Sequence, residues 1–385
     1  MKPVRVMFGA VGALFGVAMF ASVSAQGGGG VGNRQDGKHL FERETFGGNG
    51  RTCATCHTSE TGTVSPEEAR RRFEANPRDP LFLHDGSDDG NGHGVSRMLK
   101  DATILVEIPL PDGVSLADDP EARSVVLRRG IASTINTPAL DPMLMFDGRQ
   151  PNLRSQATGA IHDHAQALVA PTGKELTRLE EFQLTDRFFS SPALRRWAQG
   201  GPAPALPEGT TASETRGRRF FEDLPPNPAN FPEGLKDGLC SACHSGPLLN
   251  EANAFLQLVV PGALSGTRFQ TVGVSEVNAL GNPARPFVFT NADGTKTTVV
   301  TPDPGRALIT GIGPKDDPTF ENVNAFKISP LRGVRNTAPY FHDNSARTLE
   351  DVVRHYANFF AFVSNGVIIL SEQDQADIVA YMKLL

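Results

Sequence analysis

Apolar and polar positions divide the chain into a few helical stretches separated by long turn-rich segments. Residues 65–76 (SPEEARRRFEAN) predict a helix with Ser65 as its cap and Pro66 in its first turn. Residues 175–199 read as helical, and two further helices close the chain, one near 348–362 and one over 372–384 capped by Ser371. Two shorter amphipathic stretches, 37–46 (GKHLFERETF) and 217–223 (GRRFFED), carry Phe41 and Phe221 as equivalent core anchors. Residues 287–300 (FVFTNADGTKTTVV) predict a β-hairpin turning on Asp293-Gly294. Residues 84–94 form a loop, and 262–325 are turn-rich. At the start of the chain an apolar run, 6–20, follows Lys2 and Arg5 and precedes Val23-Ser24-Ala25. That order predicts a secretory leader over 1–25, followed by a Gly-rich linker over 26–35. The run is shorter than the ~20 residues a membrane span needs. The Pro/Gly-rich stretch 200–209 makes the best boundary, giving an N-terminal domain over 36–205 and a C-terminal domain over 206–385.

Composition changes this picture little. The chain has 385 residues, 39% hydrophobic and 21% charged, which is enough to bury two cores of common size. A net charge of -6 gives no footing for nucleic acid.

The cysteines change it more. All four lie in two copies of one arrangement, RTCATCHTSE at 51–60 and LCSACHSG at 239–246. Cysteines in an exported protein ordinarily pair as disulfides. Cys-x-x-Cys followed directly by His serves another chemistry. Two intervening residues let both sulfurs reach the two vinyl groups on one edge of a porphyrin, and the adjacent imidazole reaches the iron. A zinc site or a redox Cys-x-x-Cys is the alternative, and it leaves the adjoining His unexplained in both copies. The prediction is therefore two covalently bound c-type haems, one on Cys53, Cys56 and His57, the other on Cys240, Cys243 and His244. The repeated helix–motif order makes a weak internal repeat. Because haem itself fills much of each core, the predicted fold is mainly α: two related haem domains, with a loop-rich β-hairpin insertion in the second.

The segment FKISPLRGVRNTAPYFHDNSARTLEDVV (326–353) resembles the signature of bacterial dihaem cytochrome c peroxidases and their MauG-type relatives. NTPAL (136–140) and FDGRQPNLRSQATGAI (146–161) resemble a second stretch of that family. The resemblance covers most of 36–385. It implies two cytochrome-c-like haem domains facing each other across a shared interface, with a peroxidatic haem in the first and an electron-transfer haem in the second. It also implies reduction of hydrogen peroxide with electrons from a small donor protein of cytochrome c or cupredoxin type, a periplasmic location, and often a homodimer. MauG-type oxidation or oxygenation of a protein or organic substrate with peroxide or dioxygen is the alternative within enzymes. An electron carrier with two six-coordinate haems is the alternative outside them.

Several family positions are altered. Phe146 stands where the family usually has an interdomain Trp, and Phe is not readily oxidised. The family's distal Gln matches Gln156, but its catalytic Glu ten residues later is matched by Gln166, and an amide cannot shuttle a proton. His162 and His164 lie in the same segment and could substitute. His84, His93 and Met98 are candidate ligands to the first haem, although an open first haem is the simpler reading. At the second haem the family's Met position is matched by Tyr356, as in the MauG branch, with His355 as the competing ligand. Asn136, Thr337 and Pro339 match the positions that hold a calcium ion between the domains, and oxygen donors of that kind suit calcium.

Overall fold

The computed structural model describes residues 31–136, 140–258 and 260–385. The expected leader lies outside the described residues, as does the first half of the Gly-rich linker. Residues 31–35 of that linker instead open the first helix, α1 (Val31–Glu42). The first half continues through α2 (Cys53–Cys56), α3 (Pro66–Ala75) and α4 (Ser96–Asp101), then strands β1 (Thr103–Pro109), β2 (Val114–Leu116) and β3 (Ser124–Gly130). It closes with α5 (Leu153–Asp163), α6 (Gly173–Thr185) and α7 (Pro192–Ala198). The second half opens on α8 (Ala212–Arg218), followed by β4 (Phe269–Gln270), α9 (Val274–Val277), β5 (Arg285–Thr290), β6 (Lys296–Thr301) and α10 (Ala307–Thr310). It ends with β7 (Phe326–Lys327), α11 (Leu349–Val363) and α12 (Glu372–Met382). Among the described residues no helix is long and apolar enough to cross a membrane.

The predicted helices form where their caps allow. Ser65 Oγ accepts from the Glu68 N–H to start α3, and Ser371 caps α12 through the Asp374 N–H. The 175–199 stretch is two helices rather than one. α6 starts on Thr172 in a capping box with Glu175, and α7 starts afresh on Ser191 with Pro192 in its first turn.

The internal repeat has a structural counterpart. In each half the helix before the cysteine motif crosses the last long helix at a glycine. A Cβ on Gly37 of α1 would stand 2.4 Å from the Arg178 carbonyl oxygen of α6. A Cβ on Gly217 of α8 would stand 2.0 Å from the Asp377 carbonyl oxygen of α12. Only glycine lets the backbones approach this closely.

The sheet content exceeds the mainly helical expectation, and the fold is a mixture of helices with small sheets. β1 and β3 pair antiparallel from Thr103↔Gly130 to Pro109↔Ser124, and their alternate residues are buried. The predicted hairpin forms as β5–β6, with Arg285↔Thr301 and Thr290↔Lys296 as its ends. It does not stay with the second half. β5 pairs with β2, and Phe287 and Phe289 sit fully buried in the core built on β1 and β3. Two buried phenylalanines contribute roughly 3–6 kcal/mol, enough to bind the hairpin to the first half. The hairpin also leads into Asp303, which pairs with Arg129 of β3 through two hydrogen bonds, 2.7 and 2.9 Å. Arg129 also pairs with Asp147, which in turn holds Arg149 at 2.8 Å, so the buried charges are matched.

Candidate haem-binding sites

Each Cys-x-x-Cys-His motif closes one helical turn. The His57 N–H donates to the Cys53 carbonyl and the His244 N–H to the Cys240 carbonyl, both at 2.9 Å. Each histidine therefore stands one turn above its first cysteine. The same second device recurs five residues on. His57 Nδ1 lies 2.8 Å from the Gly62 carbonyl oxygen, and His244 Nδ1 lies 2.9 Å from that of Leu249. A carbonyl can only accept, so Nδ1 carries the proton and Nε2 is left as the lone-pair nitrogen for a metal. Burial pulls both imidazoles below the usual histidine range, against the opposing effect of these carbonyls, which keeps them neutral as ligation requires.

Each motif opens into its own cavity. Cys53, Cys56 and His57 line the first, and Cys240, Cys243 and His244 the second. Burial, joined by the neighbouring thiol, pushes Cys53 and Cys240 up to about 12, and burial alone does the same to Cys243. A redox-active Cys-x-x-Cys needs the opposite shift, toward thiolate. Among the described residues no cluster of three His, Cys, Asp or Glu side chains could hold a metal ion, so a zinc site has no donor set there. Paired thiols, a tautomer-locked imidazole and a largely apolar wall fit haem.

The wall between the cavities is shared. Ile131, Ala132, Met145, Phe146 and Lys327 line both. Phe146 thus lies between the two sites, where the family resemblance puts the interdomain aromatic.

Helix α5 decides which of the predicted distal residues reach the first cavity. Leu153, Gln156, Ala157, Ala160, Ile161 and His164 line it, at the three- and four-residue spacing of one helical face. His162 falls on the other side, 82% exposed, and pairs with Asp163 at 2.7 Å. Gln166 lies past the end of α5. Its backbone turns left-handed at φ 51, it is exposed, and its Oε1 accepts from Asn49 Nδ2 at 3.2 Å. Neither His162 nor Gln166 lines the cavity, because the helix ends before position 166 could turn inward. The structure brings Gln156 and His164 together with His57, and it leaves the other two outside. His84, His93 and Met98 do not line it either. His93 is exposed against Asp89, and Met98 is buried in the β1–β3 core.

Asp85 was not singled out in the sequence, yet it lines the first cavity. Its Oδ2 lies 2.5 Å from His164 Nδ1, and its Oδ1 accepts from Arg51. Burial works against its charge, but the His164 hydrogen bond and the Arg51 charge outweigh burial and hold Asp85 below the usual carboxylate range. Only its place in an Asp/Gly-rich loop hinted at it, and many loop aspartates share that signal.

At the second cavity Tyr356 lines the wall and is half-buried. Burial, followed by the nearby thiols of Cys243 and Cys240, pushes its phenol up from the ordinary tyrosine range. His355, one residue earlier, points away, with Nε2 2.7 Å from the Val272 carbonyl oxygen. One helical step of about 100° separates the two side chains.

Thr337 and Pro339 line the second cavity, while Asn136 lines a separate one. The Asn136 side chain donates to the Arg332 carbonyl at 2.9 Å and accepts from the Ser191 N–H at 3.0 Å, so it ties the end of the first half to the second.

No known family model matches the chain. It is similar to the cytochrome c551 peroxidase of Nitrosomonas europaea, 24% identical over 267 residues, a stretch that covers 66% of this chain and 64% of that protein's length. Its fold is similar to that of a MauG-like protein associated with microbial copper homeostasis, at 18% identity and TM-score 0.49, covering 94% of this chain and 91% of that one. The diheme peroxidase BthA from Burkholderia thailandensis is a second likeness, at 16% identity and TM-score 0.42, covering 92% and 85%. The resemblance to dihaem cytochrome c peroxidases and MauG-type proteins that the motifs carry is thus shared with a curated relative.

Proposed function

We propose that this chain is an exported dihaem c-type oxidoreductase that reduces hydrogen peroxide in the first cavity with electrons relayed through the second. The observation that carries the reading is the first cavity itself. There His57, a candidate iron ligand, shares one space with Gln156 and His164, a hydrogen-bonding amide and a titratable imidazole. Cys53, Cys56 and His57 would hold one haem, and Cys240, Cys243 and His244 the other. When bound, each haem supplies a redox-active iron centre, the first to meet peroxide and the second to pass electrons.

The chain's own residues do the rest. Gln156 can orient peroxide by hydrogen bonding but cannot take its proton. His164 can hold a proton and return it, the task the family gives to a carboxylate. Tyr356 is the candidate distal ligand of the second haem. Electrons would come from a small donor protein of cytochrome c or cupredoxin type, in the periplasm.

Tyr356 and Phe146 also favour a second reading, MauG-type oxidation of a protein or organic substrate. A phenolate ligand lowers the second haem's potential relative to a thioether. A Phe between the cavities gives no oxidisable stepping stone.

Stopped-flow absorption of the diferric protein mixed with peroxide tests both, with and without one-electron prereduction. A fast change at a high-spin haem in the diferric form supports peroxide activation. Steady turnover with a reduced donor protein favours the peroxidase, and slow turnover with a persistent oxidised state favours the MauG-type reading. Two low-spin haems that ignore peroxide would make the chain an electron carrier and overturn the proposal.

A further inference from the structure

Arg51 lies two residues before Cys53, and its side chain is 2% exposed. A guanidinium has five N–H donors in a fixed fork, and here the protein meets them all. Nε donates to the Pro80 carbonyl at 2.8 Å, and Nη2 to those of Leu81 and Leu83 at 3.0 and 2.5 Å. Nη1 donates to Asp85 and to the His164 carbonyl, the latter at 3.2 Å. The chain folds so tightly around it that a Cβ on Gly86 would fall 1.9 Å from the Leu81 carbonyl oxygen. One buried cation therefore fixes the 80–86 loop, the end of α5 and the start of the haem motif relative to one another.

Asp85 is the loop's contribution to the cavity. Its two oxygens are divided between Arg51 and His164 Nδ1. A carboxylate beside Nδ1 selects the tautomer with the proton there, which leaves a lone pair on Nε2 of a ring that lines the cavity. We infer that Asp85, anchored by Arg51, is a positioning residue that turns His164 into the proton-accepting group of the first cavity. This deepens the peroxide-activating reading and rests on it. The step is a proton transfer alone. An O–H bond of hydrogen peroxide breaks, an N–H bond forms at His164 Nε2, and the resulting imidazolium is stabilised by Asp85. No electron moves in this step.

Hydrogen cyanide tests the inference apart from turnover, because it too must lose a proton before it binds ferric iron. The diferric holoprotein should bind cyanide rapidly. His164→Ala should slow that association by about 100-fold, the low end of what a general base supplies, and Asp85→Asn by roughly 10–100-fold. The double variant should be no slower than the slower single one, because the two residues act as a unit. 15N NMR of the diamagnetic ferrous carbon monoxide form of the unmodified holoprotein should find the His164 proton on Nδ1. That measurement decides the matter even where Asp85→Asn fails to fold. A proton on Nε2, additive losses, or wild-type cyanide binding in Asp85→Asn would overturn the inference. So would conversion of a low-spin first haem to high spin in His164→Ala, which would make His164 an iron ligand. A wild-type holoprotein that carries both haems but binds no cyanide and ignores peroxide would instead sink the underlying reading of the first cavity.

Discussion

Around His57 the largely apolar cavity wall carries a polar group: Gln156, His164 and Asp85 reach it from α5 and the 80–86 loop. Around His244 the wall is rich in aromatic rings, and His342 and Gln270 line it too. Tyr356 lies there with Phe341 at 6.3 Å and Phe360 at 6.0 Å between ring centroids. The attachment device is the same in both halves, down to the Nδ1 hydrogen bond five residues beyond each histidine. What differs is the group that shares the cavity with it. An imidazole paired with the Asp85 carboxylate suits a small protic oxidant, and the phenol of Tyr356 suits a closed ligand sphere. On the proposed function, division of labour between like sites rests on the wall facing the motif.

The largest test removes one site and keeps the other. Cys53→Ala should lower the haem content, read by mass and by colour surviving acid–acetone extraction, from two covalent haems to one, and peroxide reactivity should vanish. Cys240→Ala should remove the other haem and leave a peroxide reaction that cannot turn over. Loss of all colour from the wild type on extraction would refute covalent attachment.

Next in size is the support behind the first cavity. Arg129→Met leaves Asp147 and Asp303 with a buried partner missing, and breaking such a pair costs about 3–5 kcal/mol. Denaturant unfolding should register that loss. A change below about 1 kcal/mol would mean that the hairpin is not tied to the first half through this cluster.

The aromatic wall is then tested by Tyr356→Phe. It should shift the second haem's spectrum and raise its potential, on the order of 100 mV within the ~0.8 V span that axial ligation commands. His355→Ala should leave that spectrum unchanged, since its ring is engaged with Val272. The reverse pair of results would assign His355. Phe146→Trp addresses the shared wall and should speed electron exchange between the haems, followed by stopped-flow after one-electron reduction.

The smallest expected effects fall on residues the helix turns outward. Gln166→Glu and His162→Ala should each leave the peroxide rate within about twofold, as surface changes away from a site usually do. A marked acceleration in Gln166→Glu would mean that this segment enters the cavity after all.

Much of this was readable before any coordinates. Haem attachment depends on spacing within five residues, so Cys53–His57 and Cys240–His244 predict it wherever they fold. The caps Ser65 and Ser371 fixed helix starts for the same local reason. The hairpin on Asp293-Gly294 was legible as a hairpin, but not its destination, because nothing in 285–301 names β2 as a partner. β1 and β3 went unread although their apolar residues alternate.

The distal residues lay beyond the sequence for a related reason. His162 and His164 are two positions apart and equally suited to proton transfer. Only the phase of α5 against the cavity separates them, and that phase is set by the burial of Leu153, Ala157 and Ile161. Asp85 meets His164 across 79 positions of chain, held there by a buried guanidinium. The sequence by itself determined the pattern from which the motifs' chemistry is predicted, because that pattern is local. The tertiary structure alone decided which groups line each cavity, because a cavity wall is assembled from segments that no short-range pattern brings together.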